Sequence, residues 1–126
     1  KRIIVAYGAN REESLQKHIK SKEPTVLISP SMAEGVDLKG NLSNFQVICK
    51  VPFPYLGDKV VVKKMNRWKW WYNTQTVRTI IQAVGRSIRS ENDTAVTYIL
   101  DGDWNRIKSS CRDYFPENFF ENYHEM

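Results

Sequence analysis

Apolar residues in this chain come in short unbroken runs, separated by stretches in which they recur every three or four positions. That pattern predicts strands alternating with helices. The first run, RIIVAY from Arg2 to Tyr7, is β-branched and reads as a strand; after Gly8, NREESLQKHIKSK carries helical charge pairs with Asn10 as its N-cap. TVLIS, from Thr25 to Ser29, is a second strand of the kind that a parallel sheet covers on both faces. A polar loop, PSMAEGVDLKGNLSN, leads to a third strand, FQVICKV from Phe45 to Val51, which Pro52 and Pro54 stop. The segment Asp58 to Lys64 fits a helix or a fourth extended run. Tyr72 to Ser90 is strongly helical, TAVTYILD from Thr94 to Asp101 is a strand, and Trp104 to Tyr114 is a last helix. Alternation of this kind implies βαβ units, and therefore an α/β fold around a mostly parallel sheet.

Projected at 100° per residue, the long helix separates two faces. Val77, Ile80, Ile81, Val84 and Ile88 fall on one side and are expected to pack on the sheet. Gln75, Arg78, Gln82, Gly85, Arg86 and Arg89 gather on the other, with no carboxylate before Glu91. A solvated face would mix Lys with Glu. Arg instead offers a planar fork of donors that fits phosphate oxygens, and a mid-helix Gly, which costs roughly 1 kcal/mol against Ala, permits a close approach. The competing reading is an exposed basic helix.

Composition changes this picture little. The 126 residues, 41% hydrophobic and 26% charged, suit one globular domain with its own core rather than two. Because no run of about 18 apolar residues and no leader sequence is present, the protein is expected to be intracellular and free of membrane spans. Cys49 and Cys111 are too few for a disulfide framework or a thiolate metal site and read as free thiols, Cys49 as a small buried hydrophobe. A chain that opens on Lys1 rather than Met reads as a piece of something longer. The formal charge of +5 favours a polyanionic partner without specifying one.

The loop after the second strand adds chemistry. SMAEGVDLKG places Gly35 and Asp37 just past the carboxyl end of TVLIS, where open α/β sheets bind ligands. Asp37 there accepts hydrogen bonds from a ribose hydroxyl or orients an Arg of the long helix; capping a short helix is the alternative.

Taken together, SMAEGVDLKG, VICKVPFP and QAVGRSIRSENDTAVTYILDGDW resemble motif V, the following strand and turn, and motif VI of superfamily 2 DNA helicases of the XPD and DinG group, in order and context over residues 25 to 104. The resemblance implies a three-layer RecA-like α/β domain with helices flanking a mostly parallel sheet. It implies that residues 1–126 are the second motor domain of a longer helicase. Gln82 then opens motif VI, Gly85 and Arg86 form its Gly-Arg pair, and Arg89 is the arginine finger on the ATP γ-phosphate. Gly35 and Asp37 join the nucleotide cleft, while Ser31 and Glu34 couple that cleft to a nucleic-acid track. Independently of the resemblance, the basic and aromatic run KKMNRWKWWYN offers Lys63, Lys64 and Arg67 to the backbone of that track. Motifs of the first motor domain are not found: no phosphate loop occurs, and YLGDKV lacks its spacing and its hydroxyl residue. ATP and Mg²⁺ are therefore expected to be held mainly by that other domain, as a partner in the same protein, with no metal site and no iron-sulfur cluster in this chain. Asp101 and Asp103 read as turn and cap residues. Single-stranded DNA is the expected substrate track, with RNA open.

RWKWWYN is not a signature of that group. Its aromatic residues stack on bases, or Trp70, Trp71 and Tyr72 bury against the sheet ahead of the long helix. Two other classes fit some of the same residues. A non-catalytic nucleic-acid-binding α/β module accounts for charge and aromatics but not for the Gln-Arg-Arg face; a dinucleotide-binding domain lacks G-x-G-x-x-G, since YGANRE supplies one Gly.

Overall fold

The computed structural model describes residues 2–30, 38, 40–85 and 94–126. β1 (Ile3–Val5) is followed by α1 (Arg11–Lys20) and β2 (Val26–Ile28); β3 (Phe45–Ile48) by α2 (Lys59–Arg67), α3 (Trp71–Val84), β4 (Val96–Ile99) and α4 (Asp103–Ser110). Both strand pairings are parallel, Ile3 to Val26 through Val5 to Ile28 and Phe45 to Val96 through Ile48 to Ile99. The expected parallel α/β class is thus observed. Among the described residues the strands form two two-stranded sheets, β1-β2 and β3-β4.

Each strand is shorter than its apolar run, although single backbone bonds continue past the ends, Ala6 N–H donating to the Ile28 carbonyl at 2.8 Å and Leu100 N–H to the Ile48 carbonyl at 3.0 Å. α1 lies over β1 and β2, burying Ala6 and Leu15. Asn10 sits at the N-cap position but makes no capping bond; its Oδ1 instead accepts from the Tyr7 amide at 2.8 Å, which closes the turn before α1. His18 bridges two segments, with Nδ1 2.6 Å from the Thr25 hydroxyl and Nε2 3.0 Å from the Leu42 carbonyl. A carbonyl only accepts, so Nε2 donates to Leu42. Leu42 ends a short 3-10 turn opened by Gly40, whose φ of 60° lies in the left-handed region that glycine tolerates without strain.

The segment left open between helix and strand is helical. Asp58 caps α2, its Oδ1 accepting from the Val60 amide at 2.7 Å, and Val61, Val62 and Met65 are half-buried on a helix that packs against α3. The main core lies between α3 and α4: Val51, Val77, Ile80, Trp104, Ile107, Cys111 and Phe115 are buried, and Ile81, Val84, Phe119 and Phe120 pack on them. The last helix ends earlier than its apolar pattern, at Ser110, and a 3-10 turn at Arg112–Tyr114 redirects the chain. Phe115, Phe120 and Tyr123 then close over Trp104, whose indole N–H donates to the Tyr123 hydroxyl at 3.2 Å.

The expected burial of Cys49 is not observed. Cys49 is exposed, while Cys111 is buried as a free thiol in the core. The cause is the open face of the sheets: Ile3, Val5, Val26 and Ile28 on one pair, and Phe45, Val47, Val96 and Tyr98 on the other, remain largely exposed. Cys49 continues the outward-facing alternation of β3.

Candidate functional site

α3 presents the predicted division of faces as far as it is described. Val77 and Ile80 are buried, Ile81 and Val84 pack against the core, and Arg78 and Gln82 are exposed on the other side. The helix forms because its apolar positions recur at three- and four-residue spacing; the threonine hydroxyls are satisfied within it, Thr76 Oγ1 donating to the Tyr72 carbonyl at 3.0 Å. It ends at Val84, so Gly85 is its C-cap and not a mid-helix residue. Gly85 has φ of −69°, and a Cβ there would meet the Ile81 carbonyl at 3.4 Å, an ordinary contact. Backbone conformation therefore does not demand glycine at this position.

What anchors this end of α3 is a residue that sequence reasoning missed. Gln46 Nε2 donates to the Val84 carbonyl at 3.2 Å and to Thr97 Oγ1 at 2.8 Å. Gln46 and Thr97 are direct partners in the β3-β4 register. The helix terminus leaves its last carbonyls unpaired, and this polar rung satisfies one of them from the sheet below. The signal was present: a Gln in the middle of an apolar strand needs a partner if it is not to cost free energy on burial.

At the opposite, carboxyl end of the same sheet stands Asp101. Its Oδ2 accepts from the Val51 amide at 2.9 Å and its Oδ1 from the Asp103 amide at 3.2 Å, with Lys50 Nζ 3.8 Å away. It thus performs the turn and capping role expected of it, joining the chain beyond β3 to the start of α4. The Val51 and Asp103 N–H bonds, in that order, hold its carboxyl below the usual range, more than desolvation raises it. A lowered folded pKa means stability that is present above the unfolded value of about 3.9 and is lost as pH falls through the folded value. Asp101→Asn is accordingly expected to lower the melting temperature at pH 7, with the gap to wild type closing in melts run at pH 3. A gap that persists unchanged at pH 3 would show that the carboxylate charge contributes nothing.

Of the residues assigned from sequence to the nucleotide, Gln82 and Gly85 are described and lie together at the end of α3. Gln82 makes no hydrogen bond with any described residue, leaving its amide open as donor and acceptor. Gly35, Asp37, Arg86 and Arg89 lie outside the described residues, as do Ser31 and Glu34. Lys63, Lys64 and Arg67 share α2; Lys64 Nζ stands 5.3 Å over the Trp71 ring and the Arg67 guanidinium 5.1 Å over Trp68. Of the three aromatic residues expected to bury, two do so in part. Trp71 and Tyr72 are half-buried, Tyr72 stacking on Phe53 and donating to the Pro54 carbonyl at 3.1 Å, whereas Trp70 stays exposed. Among the described residues no three or more His, Cys, Asp and Glu side chains converge as a metal site would require, and no helix is long and apolar enough to cross a membrane.

The chain matches the protein family described as "Helicase C-terminal domain" over residues 1–122. It is similar to a "Regulator of telomere elongation helicase 1 homolog" of Caenorhabditis briggsae, 28% identical over 102 residues that cover 68% of this chain and 10% of that protein. The corresponding homolog of Drosophila virilis is 35% identical over 83 residues, covering 56% of this chain and 8% of that protein. "ATP-dependent DNA helicase DinG" of Salmonella typhimurium is 37% identical over 97 residues, covering 68% of this chain and 13% of the relative. The chain therefore spans about a tenth of the length of these curated relatives.

Proposed function

The chain belongs to the helicase C-terminal domain family, and on that footing we propose that it is the second RecA-like motor domain of an ATP-dependent DNA helicase. Its role is to complete an ATP site whose phosphate-binding half lies on a first motor domain of the same protein. The observation that carries this reading is the exposed Gln82 in the last turn of α3. There Gln82, with its amide unengaged, stands opposite the buried Val77 and Ile80 and directly precedes Arg86 and Arg89 in sequence. The donor set suits a nucleotide triphosphate, since guanidinium forks match phosphate oxygens and a Gln amide both donates and accepts.

In this mechanism ATP is the substrate. Arg89 and Arg86 supply positive charge as the phosphoryl group departs, the contribution expected of an arginine finger, in a closed cleft where each donor acts without competing water. Gln82 orients the phosphate end beside them. Gly35 and Asp37 line the same cleft from the loop after β2, and Ser31 and Glu34 pass its opening and closing to the nucleic-acid track. The described residues present no ligand set for Mg²⁺, which is assigned to the first motor domain, and no step here is routed through it. With two free cysteines, one exposed and one buried, the chain is not assigned an iron-sulfur cluster either. Single-stranded DNA is the track that the domain moves along, in whatever compartment holds the genome.

Half a site does not turn over. The purified chain is expected to release no phosphate from ATP above a protein-free control, with or without single-stranded DNA, and to gain activity only when joined to a first motor domain. Hydrolysis by the chain alone that co-purifies with it through successive columns would refute the shared-site reading. Failure of the joined protein to hydrolyse ATP while still binding DNA would favour the non-catalytic binding module.

A further inference from the structure

We infer that the hairpin between α2 and α3 is a stacking platform for single-stranded nucleic acid, with bases on the indoles of Trp70 and Trp68 and phosphates on Lys63, Arg67 and Lys69. The inference rests on the helicase reading only for the choice of a nucleic acid as the natural polyanion. Its own support is local.

The first observation is two indoles in water. Trp70 is 56% exposed and Trp68 40%. A tryptophan engaged by the fold has a hydrogen-bond partner for its N–H and packing for its faces. Trp70 has neither among the described residues: its indole meets no ring, cation or hydrogen-bond partner, and only its backbone carbonyl is engaged, by the Thr74 amide and hydroxyl. One face of Trp68 carries the Arg67 guanidinium, as a base would, and the residue still remains exposed. The hairpin holds both in place, because the Trp68 amide closes α2 on the Lys64 carbonyl at 2.8 Å and the Trp71 amide bonds the Trp68 carbonyl at 3.0 Å.

The second observation is charge. From Lys59 to Lys69 the sequence has five cations, Lys59, Lys63, Lys64, Arg67 and Lys69, and no carboxylate. This equals the formal net charge of the whole chain, +5, so the remainder is neutral and the excess is concentrated here. None of the five pairs with a carboxylate among the described residues. Lys59, Lys63 and Arg67 follow one another at four-residue spacing on a single helix, an arrangement of like charges that destabilises a helix by itself. A polyanion laid along α2 removes that repulsion.

Flat apolar rings interleaved with unpaired cations match a ligand that offers π-faces and regularly spaced phosphates together, and sequence-tolerant binding of single strands uses that combination. A lipid surface asks for something else. An interfacial helix needs a continuous apolar stripe to bury, and on α2 Val61, Val62 and Met65 are already half-buried on a helix packed against α3.

The test uses the full chain, with a fluorescein-labelled oligothymidylate as probe and anionic phospholipid vesicles as competitor. Wild type is expected to bind the oligonucleotide at low salt with quenching of tryptophan emission. Trp68→Ala/Trp70→Ala should weaken binding by roughly 5- to 100-fold at unchanged melting temperature, and Trp70→Phe should retain most of the affinity. Lys63→Gln/Lys69→Gln should reduce the slope of log affinity against log salt by about 1 to 2. Unchanged affinity in the double Trp variant overturns the platform, as does absence of binding by wild type or binding to vesicles in preference to the oligonucleotide. In the complete enzyme the two readings separate. Normal DNA affinity in the Trp variant with Arg89-dependent ATPase overturns the platform alone, whereas Trp-dependent DNA binding with ATPase indifferent to Arg89 overturns the motor-domain assignment alone.

Discussion

Arg89→Ala in the complete helicase is expected to lower ATP turnover by roughly 10³ to 10⁵, with a much smaller loss of ATP affinity. The asymmetry follows from the role proposed for the side chain. A guanidinium aimed at charge that develops only as the phosphoryl group transfers stabilises the transition state and does little for the ground state. Arg89→Lys should not restore turnover, because an ammonium is a point charge and does not reproduce the bidentate fork. Gly85→Ala supplies the internal comparison. At φ of −69° and with an ordinary contact for the new methyl, alanine fits the C-cap of α3, and the fold is expected to hold or gain slightly. Lost turnover in that variant then reports an obstruction between motor domains and not a damaged helix. Steady-state ATPase at saturating single-stranded DNA, with melts of each variant, decides the matter. Near-normal turnover in Arg89→Ala, with full activity in a more stable Gly85→Ala, would make this face ordinary solvated surface.

Ile80→Ala is the substitution expected to cost the fold most. Ile80 is fully buried in the cluster that joins α3 to α4, in company with Val77, Trp104 and Ile107. Truncation removes apolar contact and leaves a cavity that a close-packed interior closes only in part, at a cost of about 2 to 5 kcal/mol. Against a total stability of roughly 5 to 15 kcal/mol for a domain, that is a large share, and the melting temperature should fall by on the order of 10 °C. Val60→Ala, at an exposed position on α2, should stay within about 0.5 kcal/mol of wild type. Urea titrations followed by circular dichroism measure both. A loss below about 1 kcal/mol in Ile80→Ala would mean that this cluster is not the core.

These positions also show what the sequence discloses. The four strands and the inward face of α3 were legible because each is written in consecutive or regularly spaced apolar residues. α2 was not, because the three valines at 60 to 62 suit either conformation; the Asp58 cap and packing on α3 decide for a helix. Cys49 was misplaced since an apolar run implies burial on both faces, whereas one face of β3-β4 is open. The Trp segment divided for the same reason, with Trp71 and Tyr72 finding partners on Lys64 and Phe53 and Trp70 finding none. Within the candidate site, residue types and spacing separated the buried Val77 and Ile80 from the exposed Arg78 and Gln82 of the long helix. Gln46 escaped notice because its partners are contributed by Val84 and Thr97, which are distant in sequence and adjacent only after folding.

That glutamine has a mechanical consequence. Through one amide nitrogen, shared between the Val84 carbonyl and Thr97 Oγ1, it fastens the last turn of α3 to both strands of the pair beneath. On the motor reading proposed above, a load borne at Gln82 or Gly85 passes through this link to β3 and β4 together, so the helix end and both strands are expected to move as a unit.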